Sequence, residues 1–297
     1  MIIAPRFGGP EVLEAVQAPE PSVPDGGVLV EVRTIGLNPV DGMMRRGEFG
    51  GQPPLRLGTE FAGVVLRVGS RVSDFAPGDE VIGFGTLGSY AEQVVADPAN
   101  LARKPAGVSW EEAGGLSGAG QTALTILDAL ELRTGETLLA NGASGGVGTM
   151  LVQLARRRGI QVIGTAGERN QEYLAALGAT PVVYGAGLAD RIAALAPGGI
   201  DAAIEMSGSA EAARVSLEVA PRNRVASIVP RTAQPFGIPL LQVRRSARRL
   251  DELAAAVADK SLTVTVQQVF DLKDAAAAHR VLDQGHTRGK LLLRASA

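Results

Sequence analysis

Apolar runs of strand length alternate with amphipathic segments of helix length through the middle of the chain. We predict strands at 137–141, 161–165, 181–184, 201–206 and 224–229, with a sixth at 240–243. Helices are predicted between them at 149–158, 170–177, 188–196 and 209–219. Strands that alternate with helices over short links are typical of a parallel, doubly wound sheet. The pattern therefore predicts an α/β domain.

The segments on either side of this domain are β-rich. Before residue 110, short apolar runs at 28–33, 61–68, 80–82 and 90–96 are separated by turns rich in Pro and Gly, as in a small barrel-like β domain. After Lys260, β-type segments at 261–272 precede a predicted helix at 274–283 and a final strand at 290–293. We predict that this tail rejoins the first domain. The predicted domains are thus 1–115 plus 261–297, and 116–260.

The most informative local motif follows the first strand of the α/β domain. There the sequence NGASGGVG, residues 141–148, leads from the strand into the helix. Glycine at 142 and 145 allows a sharp turn and close approach to a phosphate, and Gly148 allows the helix to pack closely on the strand. The helix N-terminus adds unpaired N–H groups and a partial positive charge. With the next strand completing a βαβ unit, the motif predicts a dinucleotide site, a simple glycine-rich turn being the alternative.

Composition and charge narrow the classes of function. A formal net charge of -2 over 297 residues gives no electrostatic reason to bind nucleic acid or an anionic membrane. No apolar run reaches about 18 residues and the N-terminus lacks the pattern of a signal peptide, so we expect a cytoplasmic protein. The chain has no Cys, which excludes disulfides, thiolate nucleophiles and cysteine-ligated metals. His279 and His286, its two histidines, are predicted to be solvated or capping residues.

Six spaced motifs carry a resemblance to a known family. They are FGGPEVL at 7–13, GLNPVD at 36–41, GTEFAGVV at 58–65, PGD at 77–79, ASGGVG at 143–148 and GHTRGK at 285–290. Over nearly its whole length the chain resembles the medium-chain dehydrogenase/reductase superfamily, and within it the zinc-free quinone oxidoreductases related to zeta-crystallin. The resemblance implies a GroES-like, β-rich catalytic domain carrying an inserted Rossmann domain with a doubly wound parallel sheet, and an active site between them.

The zinc-dependent branch of that superfamily offers a comparison at three positions. Where that branch has Cys, His and Cys as ligands of its catalytic metal, this chain has Asn38, Thr59 and Gly118. The four cysteines of the structural zinc lobe are also missing. The resemblance therefore implies an enzyme without zinc. Carboxylates such as Asp41 and Glu60 leave a hard cation open, beside roles in the turn and in packing.

The cofactor is indicated by the end of the second α/β strand. An NAD site usually places a carboxylate there to bond the ribose 2′-hydroxyl, and residues 162–167 contain none. Arg169 follows, and Tyr184 resembles the family's 2′-phosphate tyrosine, so we predict NADP(H). Glu168 keeps NAD open, since it could turn toward a ribose.

The resemblance and the glycine motif together give a set of candidate residues for the cofactor. They are Asn38, Thr122, Ala143, Ser144, Gly145, Gly146, Val147, Gly148, Thr165, Gly167, Arg169, Tyr184, Ser207, Gly208, Ile228 and Val229. A plain helix position is the alternative for Thr122. Simple sheet packing is the alternative for Ile228 and Val229.

Two candidate catalytic residues lie in the 36–41 motif. Hydride transfer to an electrophilic acceptor without a metal needs orientation and a hydrogen bond to the developing oxyanion. Asn38 is the predicted donor, because the corresponding family position faces the nicotinamide, and an Asn-Pro turn residue is the alternative. Asp41 is predicted to fix the loop rather than to act as an acid or base. Met43 stands where the family often has a tyrosine.

We predict an NADPH-dependent, zinc-independent reductase of quinones or related α,β-unsaturated carbonyls. The alternatives are an enoyl-thioester or 2-alkenal reductase and, from another class, a catalytically weak NADPH-binding sensor or interaction protein. The expected partner is a small carbonyl or quinone substrate, with no nucleic acid and no membrane. The connection at 230–239 is shorter than in relatives, so the substrate pocket is either open or completed by another subunit, and a homodimer stays open.

Overall fold

The structure is a computed structural model that describes residues 1–295. Its strands are β1 (Ile2–Ala4), β2 (Glu14–Ala15), β3 (Val28–Gly36), β4 (Leu55–Arg56), β5 (Glu60–Val68), β6 (Glu80–Phe84), β7 (Gln93–Ala96), β8 (Leu101–Arg103), β9 (Thr137–Asn141), β10 (Gln161–Ala166), β11 (Thr180–Val183), β12 (Ala202–Glu205), β13 (Val225–Ser227), β14 (Val266–Asp271) and β15 (Lys290–Arg294). Its α-helices are α1 (Pro39–Arg45), α2 (Trp110–Gly114), α3 (Ser117–Ala129), α4 (Gly146–Arg157), α5 (Gln171–Leu177), α6 (Leu188–Leu195), α7 (Ala210–Val219), α8 (Pro230–Phe236), α9 (Ala247–Ala258) and α10 (Ala275–Gln284). Within residues 1–295, no helix is both long and apolar enough to cross a membrane.

The chain forms two compact units. One unit comprises Met1–Gly118 together with the residues from Arg245 onward, and the other comprises Ala119–Arg244. This division differs from the predicted boundary at residue 260, because α9 packs against β8 of the first unit. Leu250, Leu253 and Val257 form the buried face of α9. The alanine-rich helix thus belongs to the β-rich unit rather than to the α/β unit.

The second unit is built on a five-stranded parallel sheet in the order β11-β10-β9-β12-β13. Leu139 at its centre pairs with Ile163 on one side and with Ala203 on the other, and all three are buried. Helices α4 to α7 connect the strands. Strands covered on both faces are continuously apolar rather than alternating, which is why the sequence predicts them well. Their carboxyl ends meet at one edge of the sheet, where ligands bind in folds of this kind.

The predicted sixth strand of this sheet is wrong. Residues 240–243, which belong to the described part of the chain, make a single parallel bridge between Leu240 and Ser227 and then leave the sheet. The physical reason is the length of β13, which ends at Ser227 and offers no further edge for pairing. Leu240 and Val243 are consequently 37% and 38% exposed.

The first unit is β-rich. Its larger sheet has the order β14-β15-β3-β5-β6-β8, with β7 also pairing with β3, and a smaller sheet has the order β2-β1-β4. The C-terminal strand β15 pairs antiparallel with β3, so the tail joins this unit as predicted. Val30, Ile35, Phe61 and Leu293 are among the buried side chains of its core. The pairing of β15 with β3 also brings the start of β15 to the end of β3, where the 36–41 motif begins.

Candidate functional site

The glycine-rich loop lies at the carboxyl end of β9. Gly142 has a φ of +78°, a conformation that favours glycine. A Cβ on Gly148 would stand 2.5 Å from the Cα of Ala143, so the helix packs on the loop as closely as the sequence predicts. Gly145 differs, since a Cβ there would meet only the Gly142 carbonyl oxygen, at 3.5 Å. The space beside Gly145 is open to an approaching ligand.

Helix α4 begins at Gly146, three residues before the predicted start at 149, with Gly145 as its N-cap. The early start follows from the backbone, because residues 146–148 already have helical geometry. The first N–H groups of a helix have no intrahelical partner, and here they belong to Gly146, Val147 and Gly148. Together with the helix dipole they make this end of α4 suited to an anion such as a pyrophosphate.

Hydrogen bonds from the neighbouring strand hold the loop in place. The N–H of Ala143 donates to the carbonyl of Thr165 at 3.0 Å, and the N–H of Gly142 donates to Oγ1 of Thr165 at 3.1 Å. The side-chain amide of Asn170 donates to the Ser144 hydroxyl at 3.2 Å. Thr165, predicted as a cofactor residue, therefore acts on the loop itself. The loop is organised by the protein's own bonds.

The end of β10 lies beside the start of the loop after β11. The Tyr184 hydroxyl lies 3.2 Å from the position that a Cβ on Gly167 would take, and the Tyr184 residue is 46% exposed. Glu168 and Arg169 follow on an exposed single turn of 3-10 helix. A phenol and a guanidinium thus stand near the end of β10, where the sugar of a dinucleotide binds in sheets of this type. Their roles toward the cofactor stay predictions.

Glu205 is a residue of this region that the sequence analysis missed. It is fully buried at the end of β12, and its Oε1 accepts from the N–H of Ser207 at 2.7 Å, the Ser207 hydroxyl at 2.6 Å and the N–H of Gly208 at 2.7 Å. Its Oε2 accepts from the Thr232 hydroxyl at 2.5 Å. A Cβ on Gly142 would stand 3.2 Å from the Ser207 nitrogen, so Glu205 fixes a turn that touches the glycine-rich loop. The sequence feature that could have identified Glu205 is a single acidic residue at the end of an apolar strand.

The remaining predicted cofactor residues divide into two groups. Ile228 and Val229 are partly exposed just after β13, where Val229 caps α8. They therefore share the carboxyl edge of the sheet with the glycine-rich loop and the Ser207–Gly208 turn. Thr122 lies inside α3 and is 6% exposed. The position of Thr122 agrees with either a hydroxyl contact to the cofactor or a plain helix position, so its contact with the cofactor stays a prediction.

Asn38 is the centre of a polar cluster in the first unit. Its backbone N–H donates to Oδ2 of Asp41 at 2.9 Å, which anchors the start of α1. Its side chain turns to a buried ion pair: Nδ2 donates to Oε1 of Glu60 at 2.8 Å, and Oδ1 accepts from Nζ of Lys290 at 2.8 Å. Asn38 is thus more than an Asn-Pro turn residue, and Lys290 is a second residue that the sequence analysis did not single out. Asn38 itself is partly exposed.

The ion pair beneath Asn38 is buried. Nζ of Lys290 lies 2.7 Å from Oε1 of Glu60, and their side chains are 3% and 0% exposed. Burial alone would raise the pKa of Glu60, but the charge and hydrogen bond of Lys290, the N–H of Gly118 and the Asn38 amide together lower it. Glu60 is therefore a carboxylate at neutral pH. The pair places a fixed positive charge directly behind the Asn38 amide.

A second buried network runs from Asp41 into the core of the first unit. Oδ2 of Asp41 accepts from the Tyr90 hydroxyl at 3.1 Å, and Tyr90 in turn lies 3.0 Å from Nε2 of His279. Nδ1 of His279 lies 2.7 Å from an Arg45 nitrogen, and Arg45 pairs with Asp283 at 2.5 Å. Because an arginine only donates, Nδ1 accepts and the imidazole proton is on Nε2. From Arg45 through His279 and Tyr90, each hydrogen bond is therefore donated toward Asp41, while Arg45 also donates to Asp283.

The prediction for His279 is wrong, because α10 turns this side chain into the core, where it is 0% exposed. Burial, followed by the charge of Arg45, lowers its pKa to about 4. Burial raises the pKa of Asp41 to about 6, against the opposing effects of its hydrogen bonds and of Lys290. Within residues 1–295, Oδ1 of Asp41 is a buried atom without a hydrogen-bond partner. His286 is exposed, as predicted.

The donor set at the three positions of the metal comparison does not fit a zinc ion. Asn38 is engaged with a cation, and a Cβ on Gly118 would stand 2.9 Å from Oε1 of Glu60 and 3.0 Å from Oδ1 of Asn38. Across residues 1–295, no group of three or more His, Cys, Asp or Glu side chains is placed to hold a metal ion. The Lys290 ammonium beside Glu60 also opposes a hard cation there.

Comparison with known proteins agrees with this architecture. The family model of the alcohol dehydrogenase GroES-like domain matches residues 24–106, and the zinc-binding dehydrogenase model matches residues 177–293. A quinone oxidoreductase from Pseudomonas aeruginosa is 33% identical, over 97% of this chain and 97% of that protein. The quinone oxidoreductase of Sus scrofa is 38% identical, but over 54% of this chain and 51% of its own length. The match thus spans about half of that curated relative.

A solved structure extends the similarity to the whole fold. The Escherichia coli quinone oxidoreductase, solved in complex with NADPH, superposes with a TM-score of 0.88 and 28% identity, over 99% of each chain. These findings confirm the predicted fold class, a GroES-like β-rich domain with an inserted Rossmann domain. They also confirm the resemblance described above. Because the Pseudomonas relative exceeds 30% identity over almost the full length, the chain belongs to the quinone oxidoreductase branch of the medium-chain dehydrogenase/reductase superfamily.

Proposed function

We propose that this oxidoreductase uses NADPH to reduce quinones or related α,β-unsaturated carbonyls without a metal. The observation that carries the proposal is the Asn38 amide, held by Glu60 and Lys290 at a position that serves as a metal ligand in the zinc-dependent branch. An amide can donate a hydrogen bond, whereas it does not supply the Lewis acidity needed to activate an alcohol. Acceptors that are already electrophilic are therefore the class that suits this chain.

The second unit supplies the binding groups for the cofactor. The first turn of α4 and the open space beside Gly145 suit the pyrophosphate, while Tyr184 and Arg169 suit the 2′-phosphate. The Ser207–Gly208 turn, fixed by Glu205, adds the next stretch of the same sheet edge. The NADPH in the similar Escherichia coli enzyme supports this assignment. When bound, NADPH supplies a hydride, which carries two electrons.

The first unit supplies the group that receives the developing charge. As the acceptor is reduced, negative charge builds on its carbonyl oxygen, and a hydrogen on Nδ2 of Asn38 donates to that oxygen. The carboxylate of Asp41 accepts a hydrogen bond from the backbone N–H of Asn38, and this bond fixes the backbone that carries the Asn38 side-chain amide. The product also needs one proton, which water supplies to the reduced oxygen or carbon.

A substrate panel tests the proposal. Purified protein is assayed with NADPH against benzoquinones, 2-alkenals and crotonyl thioesters, following the loss of NADPH absorbance, with NADPH binding measured separately by fluorescence. Turnover of the quinones above the other classes is the expected result. Preference for 2-alkenals or thioesters would identify an enoyl-type reductase instead. Silence across the panel with tight NADPH binding would overturn the reductase and favour a sensor.

A further inference from the structure

Lys290 is a buried ammonium that contacts Asn38. It is the first residue of β15 and is 3% exposed. Its Nζ donates to the Leu37 carbonyl at 2.8 Å, to Oδ1 of Asn38 at 2.8 Å and to Oε1 of Glu60 at 2.7 Å. An ammonium has three hydrogens, so these three acceptors use all of them. Lys290 therefore has no hydrogen left for a substrate.

The chemistry of these partners fixes which way the Asn38 amide faces. An ammonium only donates, so the atom facing Lys290 must be Oδ1. A carboxylate only accepts, so the atom facing Glu60 must be Nδ2. The two contacts agree, and they occupy one of the two hydrogens on Nδ2. The second hydrogen stays available on a residue that is partly exposed.

An amide without this constraint would have two orientations. Rotation of the side-chain amide by half a turn exchanges Oδ1 and Nδ2, and it would turn a hydrogen-bond donor into an acceptor. An oxygen facing a carbonyl oxygen repels the charge that develops there, whereas an N–H stabilises it. The orientation of Asn38 thus decides whether it assists or opposes reduction of a carbonyl.

We infer that Lys290 is a positioning residue that, together with Glu60, orients the Asn38 amide so that it donates to the carbonyl oxygen of the acceptor. This inference rests on the proposed function. It also accounts for a buried charge pair in a place where two apolar residues would cost less to bury. Lys290 acts through Asn38 and does not touch the substrate.

A double-mutant cycle between Lys290 and Asn38 tests the inference. Lys290→Met removes the cation at similar length, Asn38→Ala removes the amide, and the third variant carries both changes. The kcat and KM for the best quinone are measured for each, with the dissociation constant for NADPH and the thermal midpoint as controls. We expect Lys290→Met to lower kcat about tenfold, with NADPH affinity unchanged, and the double variant to be no slower than Asn38→Ala alone.

Two further variants keep the test decisive if Lys290→Met fails to fold, since that change leaves Glu60 buried without its partner. Glu60→Gln with Lys290→Gln keeps two hydrogen-bonding side chains but removes the charges that fix the amide, and it should show the same loss of kcat. Lys290→Arg still only donates, and it should retain more turnover than Lys290→Met.

Each outcome has one meaning. Additive losses of kcat, or wild-type kcat in a folded Lys290→Met protein, would overturn the positioning role while leaving the proposed function intact. Wild-type turnover in Asn38→Ala would overturn the donor role of Asn38, and the inference with it. A silent substrate panel would overturn the reductase itself before any variant is compared.

Discussion

The pH dependence of folding stability tests the buried network around His279 and Asp41. Folding lowers the pKa of His279 from 6.5 to about 4, so between these values the unfolded chain binds more protons and stability falls as the pH falls. Folding raises the pKa of Asp41 from 3.8 to about 6, so in that range the folded chain binds more protons and stability falls as the pH rises. The two slopes are opposite over nearly the same range. Between about pH 4 and 6 the wild-type contributions should nearly cancel.

Replacing His279 by Gln should expose the Asp41 contribution. Glutamine does not titrate, yet it keeps an acceptor for Arg45 and a donor for Tyr90. The pKa of Asp41 differs between the two states by about two pH units, which corresponds to about 3 kcal/mol. As the pH rises from about 4 to 6, the unfolding free energy of His279→Gln should therefore fall by about 3 kcal/mol. Asp41→Asn should do the reverse and gain a similar amount, about 3 kcal/mol, from about pH 4 to 6.5.

Urea denaturation at a series of pH values provides the measurement. Trp110 is the single tryptophan of the chain and lies in the first unit, so its fluorescence follows the unit that contains both groups. His286→Gln is the matched control, because His286 is an exposed histidine of the same unit, and its profile should follow the wild type. A His279→Gln profile as flat as the wild-type profile would refute the opposing pKa shifts.

Three further predictions concern cofactor, metal and catalysis. If Arg169 and Tyr184 hold the 2′-phosphate, NADPH should bind at least about tenfold more tightly than NADH. Arg169→Glu should reduce that ratio of dissociation constants. Equal dissociation constants for the two cofactors in the wild type would indicate that Glu168 binds the ribose instead. Because Lys290 and Glu60 form an ion pair behind Asn38, elemental analysis of the purified protein should find no stoichiometric zinc. The activity should also be unchanged by a chelator. A content of about one zinc per chain would contradict this prediction. Asn38→Ala should lower kcat by about tenfold to a hundredfold with little change in NADPH affinity, while Met43→Tyr should leave kcat unchanged or raise it.

The parts of the fold that the sequence predicts well are those encoded by neighbouring residues. The strand β9, the glycine-rich loop and the strand β10 follow one another within 30 residues, and each has a local pattern of its own. The start of α4 at Gly146 was missed, because the glycines needed for the turn have low helix propensity. The sixth strand is predicted from a local apolar run at 240–243, and that run does not encode how short β13 is.

The candidate site is less predictable, because its key contacts join distant parts of the chain. Lys290 and Glu60 are 230 positions apart, and no periodicity links them. Lys290 is the first residue of a short apolar strand, where a lysine usually lies in solvent. For the same reason Glu205 is not predicted and the prediction for His279 is wrong, since the role of a buried polar residue depends on partners that are distant in sequence.

The ion pair also supports the proposal that the enzyme works without zinc, because it opposes the introduction of a metal ligand at any single position. A cysteine at position 118 would place its Cβ 2.9 Å from Oε1 of Glu60, so the carboxylate would have to move. Moving it would leave the Lys290 ammonium without its partner in a site that is 3% exposed, which is strongly destabilising. A cysteine at position 38 would leave the same ammonium without the Oδ1 acceptor. Asn38, Glu60, Gly118 and Lys290 therefore form one interdependent arrangement, in which a change at one position disturbs the contacts of the others.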